Sequence, residues 1–143
     1  MEYVEVRDML LRHWKHTGGP NEAHSVEIYH DDALLELPQS HERFRGKANI
    51  QGWREKYPAQ LDFEPREIRG AGDLWIAEGT LSYDDGAAVV HFVKIMEFRA
   101  GRVQREALYF AEPFNAPEWR EPWHAEGPLS SSADLPIHIR GGS

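Results

Sequence analysis

Eight histidines, 24 acidic residues and no cysteine bound the chemistry open to this chain of 143 residues. The lack of thiols removes disulfides, thiolate nucleophiles and Cys-based zinc sites together, and suits a reducing compartment. The histidines stand at 13, 16, 24, 30, 41, 91, 124 and 138. None belongs to a His-Glu-x-x-His pair, and His24 and His30, six apart, do not share a helix face, so no metal is expected. A Gly-x-Gly-x-x-Gly turn, a Gly-Lys-Ser/Thr phosphate loop and a Gly-x-Ser-x-Gly elbow are all missing, which argues against a nucleotide cofactor and against serine hydrolysis. No cofactor is expected. His13 differs from the other histidines by its place. It shares one helical stripe with Val6, Met9, Leu10 and Trp14, so it is either a hydrogen-bonded core residue or a proton relay held against an acid. His41, in a loop after Pro38, is either a solvated loop residue or a gate. Asp84 and Asp85 read as turn chemistry.

The surroundings of those residues follow from composition. The length fits one domain. With 41% hydrophobic and 28% charged residues the chain has enough apolar side chains to fold around a core. A net charge of −8 repels phosphate backbones and anionic lipid, so neither nucleic acid nor a membrane is an expected partner. No apolar run approaches the roughly 18 residues a membrane span requires. Met1 to Val6 carries Glu2 and Glu5 where a signal peptide would be apolar. The expected location is cytoplasmic.

The first stripe predicts a helix that Gly18-Gly19-Pro20 ends. Asn21 caps a short second helix running to Tyr29, with Glu22 placed favourably in its first turn. An extended segment over 33–37, a loop over 39–45 and a third helix from Lys47, with Ile50, Trp53 and Tyr57 on one side and Pro58 as its stop, come next. Then the period changes to two. Strands are expected over 61–69, 74–82, 87–99 and 103–111; Pro65 marks an edge or a bulge in the first. Asp84-Asp85-Gly86 is a hairpin tip, and short turns imply antiparallel pairing. Helices followed by hairpin-linked strands argue α+β. Residues 112–123 are rich in Pro and Trp, and two tryptophans there need cover from the domain or from a second subunit. Residues 127–134 read as a loop, and Gly141-Gly142-Ser143 as an appendage.

This order resembles the nuclear transport factor 2-like superfamily, in particular its SnoaL-like branch. Local motifs carry the likeness: Tyr29-His30-Asp31-Asp32-Ala33 at the entry to the first strand, Phe44-Arg45-Gly46-Lys47-Ala48-Asn49-Ile50 at the start of the third helix, Phe98-Arg99-Ala100-Gly101-Arg102-Val103 at the closing hairpin, and Ala116-Pro117-Glu118-Trp119-Arg120 near the C-terminus. The resemblance implies a cone-shaped α+β roll over residues 1–126, N-terminal helices packed on a strongly curved antiparallel sheet, with 127–143 as a tail. It leaves function open, because this fold carries isomerases, dehydratases, epoxide hydrolases, polyketide cyclases and non-catalytic binders.

The family's register implies the site. The general base of its ketosteroid isomerases falls on Leu37, which takes no proton; their oxyanion-hole Tyr falls on His13 and their oxyanion-hole Asp on Lys94. Steroid isomerase chemistry in its usual form is therefore not expected. The same register turns Phe92 and Lys94 of the long strand, and Glu106 and Phe110 of the last, into a cavity between helices and sheet. Glu106 would then be an acid/base, Lys94 its electrostatic partner and His13 an orienting donor. The plainer alternative is a buried ion pair that only closes the floor of the cavity. Trp14, Leu37, Trp53, Tyr57, Trp75, Phe92 and Phe110 are the expected lining, for a small apolar ligand, or simply core. Glu36 is read two ways: with Leu35 and Leu37 facing in it faces out, and a register slip of one residue reverses this. Two readings stay open: a cofactor-independent isomerase, cyclase or dehydratase, and a binding or dimeric structural module without catalysis. In either case Val89, His91, Val93 and Ile95 on the outer parity of the long strand argue for a homodimer through the sheet.

Overall fold

Val6, Leu10 and Trp14 are each 1% exposed or less, the buried stripe of α1 (Tyr3–His16) that the spacing predicts. The computed structural model describes residues 1–18, 21–57, 61–84, 86 and 88–141. The expected helix stop at Gly19-Pro20, Pro58, and the Asp85 and Ala87 positions of the expected hairpin lie outside the described residues. The Glu5 carboxylate accepts the Glu2 N–H at 3.0 Å, which satisfies one free donor at the start of α1. The second helix is shorter than expected: α2 (Glu22–Ser25) tightens into a 3₁₀ turn (Val26–Ile28), and Tyr29 already belongs to β1 (Tyr29–Leu37). Residues 42–45, read from sequence as loop, pair with β1 as β2 (Glu42–Arg45). Four residues with one half-buried side chain, Phe44, carry too little alternation to reveal a strand. Then come α3 (Lys47–Glu55), β3 (Leu61–Ala71), β4 (Leu74–Tyr83), β5 (Ala88–Arg99) and β6 (Arg102–Ala111).

Among the described residues one seven-stranded sheet forms, in the order β2-β1-β6-β5-β4-β3-β7, where β7 is the short strand Ile139–Gly141. It is a curved, unclosed sheet with the N-terminal helices packed on it, an α+β architecture. Pairing is antiparallel as expected except between β1 and β6, which run parallel. That pair is distant in sequence, and the helices and hairpins between its strands supply the long crossover a parallel pairing requires. Pro65 sits where the β3–β4 register shifts, so it marks a bulge. Gly79 faces it: a Cβ there would lie 2.2 Å from the Glu64 carbonyl oxygen, so only glycine lets the two strands approach.

The last strand corrects the reading of the C-terminus. β7 (Ile139–Gly141) pairs with β3, and a Cβ on Gly141 would lie 2.8 Å from the Trp14 carbonyl oxygen. Gly141 is thus part of the packed body, against the end of α1, and the sheet extends beyond the expected boundary at 126; Gly142 and Ser143 lie outside the described residues. Ser132 secures the approach: its N–H donates to Arg66 O at 2.8 Å, and Asp134 accepts from Tyr3 Oη at 2.6 Å. By contrast Phe114, Trp119 and Trp123 stand 81%, 70% and 78% exposed. No described residue of the chain covers them.

Candidate functional site

The inner parity of β5 and β6 brings charge into the apolar interior. Lys94 and Glu106 are 2% and 0% exposed. Glu106 pairs in register with Met96, and Lys94 with Leu108, so the two charged residues are diagonal neighbours on one face. Lys94 Nζ lies 3.5 Å from Glu106 Oε1, which also accepts the Tyr29 hydroxyl at 2.7 Å. On its other side Lys94 Nζ donates to His13 Nε2 at 3.0 Å. His13 Nδ1 lies 2.8 Å from the Ser25 carbonyl oxygen, which only accepts. The network therefore assigns the ring proton to Nδ1 and leaves the Nε2 lone pair for Lys94. Thr17 and Ser25 hydroxyls close this end of the chain, 2.9 Å apart.

Two more buried charges complete the cluster, and sequence reasoning passed over both. Arg54 of α3 is held cationic: burial opposes its charge, but Tyr29, Glu22 and Glu106 outweigh that. A signal for it existed, since Arg54 is four residues after Ile50 and so on the face α3 buries. Glu22, expected as a helix first-turn residue, is fully buried and accepts the Gly18 N–H. Burial raises its pKa while Arg54 pulls it down. Arg54 Nε, Glu22 Oε1 and Glu106 Oε2 have no hydrogen-bond partner among the described residues. His13 is pushed well below the usual imidazole range by burial, then by the Lys94 and Arg54 cations, so it stays neutral. Burial takes Lys94 down to about 8 against the pull of Glu106. Burial, then Glu106, holds Tyr29 well above the usual phenol range and therefore protonated.

Three of these groups border a cavity of about 60 Å³. His13, Arg54 and Lys94 form its polar end; Trp14, Leu61, Phe63, Leu81, Phe92 and Leu108 form its apolar walls. Trp53, Tyr57, Tyr83 and Phe110, all half-buried, form the rim. The Tyr57 and Tyr83 rings stack at 5.8 Å. Of the residues expected from sequence, Trp14, Trp53, Tyr57, Phe92 and Phe110 line this cavity together with Lys94 and His13. Glu106, Trp75 and Leu37 do not. Glu106 lies behind Lys94, and among the described residues no carboxylate lines the cavity. Trp75 is buried with its indole N–H donated to Gly72 O at 2.9 Å, toward the β3–β4 turn. Leu37 is half-buried at the end of β1, packed on the core. Glu36 faces out, paired with Arg43 and Arg105, and His41 is exposed. No three His, Asp or Glu side chains gather as a metal site requires among the described residues. No helix of those residues is long and apolar enough to cross a membrane.

Fold and site together define a helix-covered curved sheet with a buried cavity, and solved structures share the fold. The chain is 39% identical to a nuclear transport factor 2-like protein of unknown function from Burkholderia xenovorans LB400, covering 87% of this chain and 97% of that one at a TM-score of 0.78. A candidate ketosteroid isomerase from Kribbella flavida DSM 17836 is 21% identical, over 88% and 92% of the two chains, at 0.69. A candidate SnoaL-like polyketide cyclase from Shewanella denitrificans OS-217 is 13% identical, over 76% and 91%, at 0.65. The last two show the fold alone. No curated protein matches. The SnoaL-like domain model matches residues 5–106. The chain belongs to the SnoaL-like family of the nuclear transport factor 2-like superfamily.

Proposed function

We propose that this chain binds a small, largely apolar molecule in the cavity between α1, α3 and the sheet, with an oxygen-bearing end of that molecule at Lys94. The observation that carries the reading is the lining. Apolar walls meet an end at which every charged or titratable group is cationic or neutral, and the carboxylates stand one layer back. A ligand carbonyl or other partial negative charge is stabilised there by donors already fixed in place. The same set supports proton transfer without a cofactor, as isomerisation, cyclisation or dehydration needs: Lys94 touches the ligand, and His13 and Glu106 act through it. A purely binding role is favoured by one feature, the engagement of Glu106 Oε1 by both Tyr29 and Lys94, which ties that carboxylate into the structure.

Native mass spectrometry of the protein as purified, followed by denaturation and identification of any released molecule, tests the ligand site. The expected result is a small apolar carbonyl compound that Phe92→Trp, which fills the cavity, expels. A released molecule that is polyanionic, or one that Phe92→Trp still binds, contradicts the site. With a ligand in hand, Glu106→Gln separates the two roles: binding kept and turnover lost supports proton transfer, whereas an unchanged rate assigns Glu106 to structure.

We also propose a homodimer through the outer face of the sheet. Val89, Val93 and Ile95 of β5 and Tyr109 of β6 leave apolar surface there, and Val93 pairs directly with Tyr109. The uncovered Trp119 and Trp123 add to the apolar area a partner would cover.

A further inference from the structure

Of the four lysines in the chain, Lys15 and Lys56 are exposed, Lys47 is half-buried and Lys94 is buried. Each element packed around the Lys94 amine contributes a group. His13 of α1 accepts from it; Glu22 of α2 and Arg54 of α3 act on it by charge; Tyr29 of β1 shares its carboxylate; Glu106 of β6 lies 3.5 Å away. Beyond it stand Trp14, Phe92 and Leu108. An ammonium buried against such walls has lost most of its hydration, and burial takes the group down to about 8. At mildly alkaline pH a substantial share of the molecules therefore holds a free amine facing an apolar cavity, the setting in which lysines attack carbonyl carbons.

We propose that Lys94 Nζ forms an imine with a small apolar aldehyde or ketone bound in this cavity. The inference rests on the ligand site proposed above and adds a covalent bond to it. The steps balance within the residues present. Glu106 takes one proton from the Lys94 ammonium, across the 3.5 Å ion pair. The nitrogen lone pair adds to the carbonyl carbon, and the C–O π pair moves onto oxygen. His13 Nε2, whose lone pair faces the Lys94 nitrogen because the ring proton sits on Nδ1 against Ser25, takes a second proton from that nitrogen and passes it to the oxygen. The first proton, held by Glu106, then lets the oxygen leave as water while the nitrogen pair forms the C=N bond. The chain begins with an ammonium beside a carboxylate and ends with an iminium beside the same carboxylate, so no net charge is created in the interior. The low basicity of His13 suits a carrier that releases its proton at once.

Reductive trapping tests this on the intact protein. Benzaldehyde and isobutyraldehyde are each incubated with it at pH 8 in the presence of cyanoborohydride, and the adduct is mapped by peptide mass spectrometry. The Lys94 peptide should be labelled at least about tenfold faster than those of Lys15, Lys47 and Lys56, as a free-amine fraction raised by two pKa units allows. The rate should rise through pH 8 and then level. Lys94→Arg, which keeps the cation beside Glu106 and cannot form the imine, should abolish that label. Labelling that follows exposure, on Lys15, Lys56 and the N-terminal amine, overturns the proposal. So does an unlabelled Lys94 for both aldehydes. A parallel titration of tryptophan fluorescence separates the two layers. Saturable aldehyde binding without a Lys94 adduct ends the imine and leaves the ligand site standing; no binding and no adduct ends both.

Discussion

Raising the pH from 8 to 10 should stabilise this fold, and Lys94 sets the size of the effect. In the unfolded chain a lysine titrates near 10.4; in the fold, burial brings Lys94 to about 8. Between those values the unfolded state holds a proton that the native state has released, so stability rises with pH across the window. A difference of about 2.5 units at about 1.36 kcal/mol each sets a limit of about 3 kcal/mol. Roughly 2 kcal/mol of it appears by pH 10, because the unfolded lysine is still mostly protonated there. From about pH 9 upward Tyr29 and Tyr83 work in the opposite direction and take back part of this gain, since burial raises both in the fold and the unfolded phenols, near 10, ionise first. The assay is urea denaturation followed by tryptophan fluorescence at pH 8, 9 and 10 at fixed ionic strength. A midpoint rising by about 1 M is expected for a domain of this size. Lys94→Met removes the titrating group and should flatten the dependence. Should that variant not fold, the ¹³Cε shifts of the four lysines in the unaltered protein report the same titration by NMR. A wild-type midpoint that is level or falls from pH 8 to 10 refutes the reasoning, as does a Lys94 signal that titrates with the exposed lysines.

The other predictions are shorter. His13 is held neutral, so below pH 6.5 the unfolded chain binds a proton the native one does not. Stability should fall by about 1.4 kcal/mol per pH unit on that limb, and His13→Gln should remove this component in acid titrations of the denaturation midpoint. Gly79→Ala forces a Cβ against the backbone of the Pro65 bulge and should cost about 3 kcal/mol or prevent folding; Gly72→Ala, where nothing lies within 4 Å but φ is +60°, should cost about 1 kcal/mol. Light scattering at micromolar concentration should give a dimer, and Val93→Asp with Ile95→Asp should give a folded monomer. A wild-type monomer there contradicts the proposed interface.

Much of the architecture was legible because its signals are local. Val6, Leu10 and Trp14 repeat at the helical period, and the alternation of Phe92, Lys94 and Met96 places all three on one face of β5 whatever they later touch. Pro65 announced a break in the ladder, because a residue without an N–H cannot continue it. What stayed illegible was short or distant. β2 and β7, at four and three residues, have too few side chains for a period, and each is a strand only because a longer neighbour supplies its partners. The buried state of Arg54 and Glu22 was hidden because each is also an ordinary surface residue of a helix.

The polar end of the cavity marks the boundary between the two kinds of information. The amino-acid order by itself determined that Lys94 shares one face of β5 with Phe92 and Met96, that His13 lies on the apolar stripe of α1 and that Arg54 shares a face with Ile50, since each statement needs only the period of one element. Only the tertiary structure decided that Lys94 Nζ meets His13 Nε2 across 81 residues of chain, and that Glu106 stands behind the lysine and outside the cavity wall. Those outcomes depend on how α1 and α3 lie across the curved sheet, to within an ångström or so. Helix placement is settled by the packing of the whole core at once, which no local pattern contains.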